Sequence, residues 1–315
     1  MMIVATLALA EQMQERSADT VRSIAEFMRG HSLEATRPTS DEAATLATIT
    51  PPGSRVYIST VAAQRPHETV EYARRLRRSG FEPVPHVAVR AFATTAELDR
   101  FLDRLAGEAG VRQVLVIAGD RDPPVGSLRR AIDAVDGGLL QRHGILEVGI
   151  AGYPEGHPRV PGQELDRALA DKIAAAEAIG LRVHIVTQFC FDAAAIICWI
   201  RRLRDFGFDT PVRIGLAGPT SLPTLMRYAN RCGVVASAHG LARHAGLLRN
   251  LFAMSAPDTI VRALATEWAD NRLGDVRPHF FSFGGLARTA RWAAAAEQRR
   301  IALQAGQGFR VEPAA

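Results

Sequence analysis

Leu146-Glu147-Val148-Gly149-Ile150-Ala151-Gly152-Tyr153-Pro154-Glu155-Gly156-His157-Pro158 is the stretch that decides the fold. Its first half is apolar almost throughout, as a strand buried on both faces of a parallel sheet must be. Its second half sets an aromatic ring, a carboxylate and an imidazole between prolines that stiffen the backbone. A plain connector needs Gly, Asn, Ser or Pro, not that set of reactive groups. A loop so equipped, held by a rigid strand, is where binding chemistry concentrates.

The same unit recurs along the chain. Apolar, strand-like runs lie at Ser32–Ala35, Val56–Thr60, Val84–Val89, Gln113–Ala118, Leu146–Ala151, Val183–Gln188, Val212–Ala217 and Pro278–Phe283. Helical patterns fall near 66–79, 95–108, 125–141, 163–180, 192–206, 221–231, 241–272 and 286–304. In the first of these, Val70, Tyr72, Ala73 and Leu76 form an apolar stripe against Glu68, Glu71, Arg74 and Arg77, and Gly80 ends it. Eight strands each followed by a helix predict a single-domain α/β protein, a (β/α)8 TIM barrel. The competing doubly wound sheet is disfavoured, because no Gly-x-Gly-x-x-Gly follows a first strand.

The barrel is expected to occupy residues 1–315, with an N-terminal helical extension over about 1–30 and a loose tail over about 304–315. The apolar start Met1–Ala10 has no basic flank, so it reads as a first strand or ordered arm rather than a signal peptide. No run approaches the ~20 apolar residues that span a bilayer. The cysteines Cys190, Cys198 and Cys232 suit neither a disulfide framework nor a zinc site, and a reducing cytoplasm fits them. The net charge of +5 comes without clustered arginines among exposed aromatics, so a small anionic ligand fits better than nucleic acid. A homo-oligomer is compatible with this composition. Every basic residue but Lys172 is arginine, which makes that lysine a candidate for a specific role as well as a chance survivor.

Reactive groups of such barrels stand at the C-terminal ends of the strands. Those positions hold Glu34, Thr60, His86, Asp120, the Tyr153–His157 loop, Gln188 and the turn Phe281–Gly285. Each has a plainer reading. Glu34 could be a solvated carboxylate or a helix cap, Thr60 a satisfier of strand-end backbone, and His86 a bonded core imidazole. Asp120 could turn the chain, although Gly119 lets a ligand approach the backbone. Asp192 reads as the N-cap of the next helix. The nine histidines form no His-x-x-x-His pair, so no metal site is expected. No nucleophile elbow is present. Proton transfer by carboxylates, with amide and imidazole groups orienting a planar ligand, remains.

Taken in order, Leu33-Glu34, Ser59-Thr60, Pro85-His86, Gly119-Asp120 with Pro123-Pro124, Tyr153-Pro154-Glu155-Gly156-His157-Pro158 and Thr187-Gln188-Phe189-Cys190-Phe191-Asp192 resemble the methylenetetrahydrofolate reductase family. The resemblance spans roughly residues 31–285. It implies a barrel that binds FAD at its strand ends, with NADH or NADPH as hydride donor. The implied substrate is a tetrahydrofolate derivative, 5,10-methylenetetrahydrofolate, reduced to 5-methyltetrahydrofolate in the one-carbon metabolism that serves methionine biosynthesis. Glu34 matches the acid that protonates N10, so a raised pKa is expected for it. Asp120 would favour the developing iminium cation, and Gln188 would hydrogen-bond the folate or the nicotinamide amide. Thr60, His86, Gly119, Asp120, Tyr153, His157, Asp166 and Lys172 fall on or near cofactor-contacting positions. Leu222 and Phe281 fall at substrate positions, and Arg288 is a candidate for the folate glutamate tail.

The chain departs from the family pattern at Ala118, at Val125–Ala131, at Leu222 and at Phe281-Ser282-Phe283-Gly284-Gly285. Several of these match groups that hold FAD in the family, while the residues matching the acid and the pterin side are kept. Two alternatives follow: the same reaction with hydride passing directly from NADH, and a non-catalytic barrel, either folate-binding or regulatory or one that binds a phosphate at Gly284-Gly285 before the last helix.

Overall fold

A computed structural model describes residues 2–61, 64–231, 254–306 and 308–313. Eight parallel strands close into a barrel: β1 (Ser32–Ala35), β2 (Arg55–Ile58), β3 (Glu82–Ala88), β4 (Gln113–Ile117), β5 (Glu147–Gly152), β6 (Arg182–Thr187), β7 (Val212–Ala217) and β8 (Val276–Phe281). They follow one another in sequence order around the ring, and β8 closes it against β1 through Ser32↔His279 and Glu34↔Phe281. The architecture is the expected (β/α)8 TIM barrel in a single domain.

Alternation along each strand sorts its side chains. Leu33, Val56, Ile58, Val114, Val116, Val148 and Ile150 point outward into one continuous core beneath the helices. Tyr57, Val84, Leu115 and Val186 meet inside the barrel. Because all strands run the same way, their C-terminal ends gather at one mouth.

The helices start where the chain supplies partners for orphan backbone N–H groups. In α2 (Ser40–Ala47) a capping box forms: Glu42 N–H donates to Thr39 Oγ1 at 3.1 Å, and Thr39 N–H to Glu42 Oε2 at 2.9 Å. Helix α3 (Pro66–Arg78) opens on proline and buries Val70, Ala73 and Leu76, as its stripe predicts. Tyr72 lies at the edge of that stripe, with Arg75 over its ring. Gly80, at φ +87°, lets the chain leave the helix one residue after its cap. Helix α4 (Thr95–Ala109) follows β3, and α5 (Gly162–Ala178) follows β5. Asp192 caps α6 (Ala193–Asp205), its Oδ1 accepting from Ala194 and Ala195 N–H.

Several expectations are corrected. The apolar start is no strand: one helix runs from Met2 to Met28, in keeping with the high helix propensity of its Ala, Leu and Met residues. The helix expected over 125–141 is broken. Only the short turns Ile132–Val135 and Leu139–Arg142 form, because Gly137 and Gly138 take φ of +83° and +72° between them. Of the helix expected over 241–272, α8 (Asp258–Ala269) is present, and 241–253 lie outside the described residues. Preceding that gap, α7 (Leu222–Arg231) begins at the predicted place. The last helix, α9 (Leu286–Glu297), stops seven residues early, where Arg299 turns at φ +63°. Beyond it the tail is not loose throughout: Ile301–Leu303 pairs antiparallel with Phe309–Val311, and Phe309 stacks on Trp292.

Candidate functional site

Glu34 ends its strand buried at the mouth, 7% exposed. Two imidazoles face the same carboxylate oxygen. His279 Nε2 lies 3.2 Å from Glu34 Oε2, and His86 Nε2 lies 3.3 Å from it, the latter off the hydrogen-bond axis. The other nitrogen of His279 meets Ser32 Oγ at 2.8 Å. Burial alone would push the Glu34 carboxyl up. The attraction of His86 and the hydrogen bond from His279 outweigh it and hold the group down at about 2. The expectation of a raised value is therefore corrected: the carboxylate is ionised at rest, because it shares its pocket with donors.

Burial pushes His279 down, against the hydrogen bond and charge of Glu34. The two shifts compete, since charging His279 would help Glu34 while burial keeps the imidazole neutral. A neutral His279 with its proton on Nε2 satisfies both, donating to Glu34 and accepting the Ser32 hydroxyl at Nδ1. Thr60 reaches this cluster indirectly, its hydroxyl donating to His86 O at 3.3 Å. Phe281, the register neighbour of Glu34, is half-buried and edges onto His279 with centroids 5.1 Å apart.

A second group forms around the loop after β5. The Tyr153 and His157 rings meet edge to face at 5.3 Å. Burial raises the Tyr153 hydroxyl and Asp120 raises it further; burial and Arg159 lower His157, against Asp120. Asp120, exposed after β4, thus sits within electrostatic reach of both rings. Gly119 has φ +88°, and a Cβ there would come 3.0 Å from Ala88 Cβ, so a side chain would be both strained and crowded. Glu155 serves the backbone: its Oε1 accepts Phe191 N–H at 2.6 Å and Asp192 N–H at 2.8 Å, tying this loop to the one after β6. Gln188 stands half-buried in that second loop, its own N–H donating to Gly152 O.

The remaining predicted positions scatter. Asp166 is exposed and pairs with Arg202 at 3.4 Å across a cavity of about 210 Å³ that Tyr153, Gly156 and Trp199 also line. Lys172 is half-buried on α5, one turn beyond Leu169 on the same face, and burial pushes its ammonium down to about 8. Leu222 is buried at the start of α7, and Arg288 is exposed on α9. Among the described residues no group of three or more His, Cys, Asp or Glu could hold a metal ion, and no helix is long and apolar enough to cross a membrane.

Sequence reasoning missed His279, Ser32 and an aromatic wall. Phe281 and Phe283 lie near-parallel at 5.6 Å, and Phe283 stacks on Tyr228 of α7 at 4.1 Å and 11°. Alternation from Phe281 could have pointed to His279, which stands two residues before it on the same face of β8.

Residues 12–269 match the family model described as methylenetetrahydrofolate reductase. The chain belongs to the methylenetetrahydrofolate reductase family. It is 27% identical to 5,10-methylenetetrahydrofolate reductase of Salmonella typhimurium (strain LT2), over 50% of this chain and 51% of that protein. It is 28% identical to methylenetetrahydrofolate reductase 2 of Saccharomyces cerevisiae, over 39% of this chain and 22% of the relative. The matched region thus spans about half of the bacterial relative and less of the yeast one. Among solved structures, dihydropteroate synthase (FolP) of Thermus thermophilus aligns with a TM-score of 0.45 at 14% identity, covering 85% of this chain and 92% of that one.

Proposed function

We propose that this chain is a methylenetetrahydrofolate reductase, moving hydride from NADH or NADPH to 5,10-methylenetetrahydrofolate and releasing 5-methyltetrahydrofolate. The observation that carries this reading is the buried Glu34 carboxylate with His279 and His86 at 3.2 and 3.3 Å. Such a cluster can pass a proton inward: an imidazole that takes one up from solvent hands it to the carboxylate and returns to its neutral form when substrate covers the mouth. Glu34 then protonates N10, and the imidazolidine ring opens to a 5-iminium cation. Asp120 favours that cation electrostatically. Gln188 orients the ligand through its amide, and Phe281 supplies an apolar wall beside the acid.

A flavin, when bound, would take hydride from the nicotinamide and pass it to the folate. The residues present fit its outer half. Lys172, without a carboxylate partner among the described residues, suits a pyrophosphate, and the cavity beside Tyr153, Asp166 and Arg202 suits a nucleoside. Both features would serve a nicotinamide dinucleotide equally. At the inner half, His86 is turned to Glu34 and Thr60 to the backbone of His86. These engagements favour the second reading, direct hydride transfer from the nicotinamide without flavin.

Turnover of methylenetetrahydrofolate with NADH and NADPH tests the activity, and absence of turnover in either direction with every donor and acceptor tried would overturn it. The absorbance spectrum of the purified protein separates the readings. A flavin band that bleaches with NADH before folate is added supports the first, and a colourless active enzyme supports the second.

A further inference from the structure

The interior of a (β/α)8 barrel is ordinarily filled by layers of branched aliphatic side chains. Below Glu34 a column of polar side chains runs through this interior beside Val84, Leu115 and Val186. Tyr57, the register neighbour of Glu34 on β2, is fully buried, and its hydroxyl lies 2.7 Å from His184 Nε2 on β6. His184 is buried as well, with Nδ1 2.9 Å from Glu147 Oε1 on β5, close enough for charge attraction although off the hydrogen-bond axis. Glu147 faces Arg55 at 3.3 Å and Arg182 at 3.6 Å near the opposite end of the barrel. Strand β5 gives way to this column: Gly149 pairs with His184, and a Cβ on it would come 2.8 Å from His184 Nε2. At the upper end, the Tyr57 ring meets the His279 ring with centroids 4.6 Å apart, at 70°.

Groups of this kind lose hydration on burial, so packing alone gives no reason to prefer them to valine or leucine. Their protonation is ordered. Burial lowers His184 and raises Tyr57, leaving both neutral. Glu147 is held low by His184 and its arginines despite burial. The anion beside Nδ1 draws the imidazole proton to that nitrogen, which leaves Nε2 to accept the Tyr57 hydroxyl. The phenol is thereby pinned at its far end, and its ring forms one wall of the His279 pocket.

We propose that Tyr57, anchored through His184 to Glu147, is a positioning residue that holds His279 in the plane from which it meets Glu34. The proposal rests on the reading of Glu34 as the proton donor. Glu34 is faced by His86 from β3 and His279 from β8, while Arg213 of β7 acts on both His279 and Tyr57. Of these neighbours, His279 meets the Tyr57 ring edge to face. Releasing the phenol therefore changes the hydrogen bond to Glu34 and leaves the folate-facing surface intact.

The test compares the full-length protein with Tyr57→Phe, His184→Leu and His184→Gln, measuring kcat and KM across pH and the imidazole nitrogen signals of His279 by NMR. Tyr57→Phe and His184→Leu are expected to lower kcat about tenfold, a fraction of the 10²–10⁴ that a positioned acid supplies, with KM within about twofold. The alkaline limb of the kcat profile moves to higher pH, because Glu34 loses part of its donor. His184→Gln, which still offers an acceptor to the phenol, restores the wild-type profile. Wild-type His279 signals and an unmoved profile in both Tyr57→Phe and His184→Leu would overturn the proposal. The NMR arm reads the His279 environment whether or not the protein turns over folate, so failure of the activity and failure of the positioning are told apart. If Tyr57→Phe does not fold, the two His184 variants carry the same comparison.

Discussion

His279 Nε2 and Glu34 Oε2 lie 3.2 Å apart although 245 residues separate them in the chain. The contact exists because β8 closes the barrel against β1. It makes the setting of the Glu34 carboxylate a shared property of the first and last strands. Glu34→Gln keeps the shape and removes the exchangeable carboxyl proton. Turnover is expected to fall 10²–10⁴-fold while methylenetetrahydrofolate still binds. Steady-state kinetics together with equilibrium folate binding checks both halves, and full activity in Glu34→Gln would remove Glu34 from its role.

His279→Leu leaves Glu34 buried beside His86 alone. With the donor gone, desolvation weighs more and the Glu34 carboxyl is expected to rise above about 2. Carboxyl ¹³C titration of Glu34 in wild type and variant measures the direction. A Glu34 value that stays or falls would mean that His86 alone holds the carboxylate.

The strands were legible because both faces of a parallel sheet are buried, so runs such as Val114-Leu115-Val116 stand out. Glu34, His86 and Tyr153 could be picked out as candidates because strand exits are where such folds carry reactive groups. His279 was not, since it lies inside a run that reads as plain apolar strand, and only closure of the barrel brings it to Glu34. The sign of the Glu34 shift was misjudged for the same reason: burial can be inferred locally, but a donor 245 residues away cannot. The helix expected over 125–141 failed on Gly137-Gly138, a pair whose left-handed turns outweigh the apolar spacing around them.

Four buried groups, Glu34, Glu147, His184 and His279, have folded values below their ordinary ones. Between the unfolded and folded values the unfolded chain holds more protons, so falling pH favours unfolding. The imidazoles act first, once pH drops below about 6.5. The carboxylates follow below about 4.5, with Glu34 losing its contribution on the way to about 2. Denaturant midpoints measured from pH 8 to pH 3 are expected to fall in two stages. His184→Gln should flatten the first stage, and a midpoint independent of pH between 7 and 5 would contradict this account.

Gly149→Ala would drive a methyl group to within 2.8 Å of His184 Nε2 and 3.1 Å of Leu115 Cδ1. Neither neighbour is the free end of a surface chain, because both are buried inside the barrel. A loss of about 1–3 kcal/mol in unfolding free energy is expected from this overpacking. Combining it with His184→Ala removes the obstruction, so the double variant should lose less than the sum of the two single losses. Strict additivity would show that the methyl is accommodated elsewhere.

Glu155 Oε1 accepts the N–H groups of Phe191 and Asp192 from the neighbouring loop. A carboxylate accepting two backbone donors is a strong tie, and losing it leaves both N–H groups to find other partners. Glu155→Ala is expected to cost about 1.5–3 kcal/mol in stability, the range for hydrogen bonds to charged groups. Its catalytic effect should enter through binding, because the loops carrying Tyr153, His157 and Gln188 are joined by this residue and the proposed proton donor, Glu34, lies on neither. KM for folate should therefore rise several-fold with kcat nearly kept. Glu155→Gln retains one acceptor oxygen and is expected to fall between wild type and Glu155→Ala on both measures. A fall in kcat at unchanged KM would instead assign Glu155 a part in the chemistry.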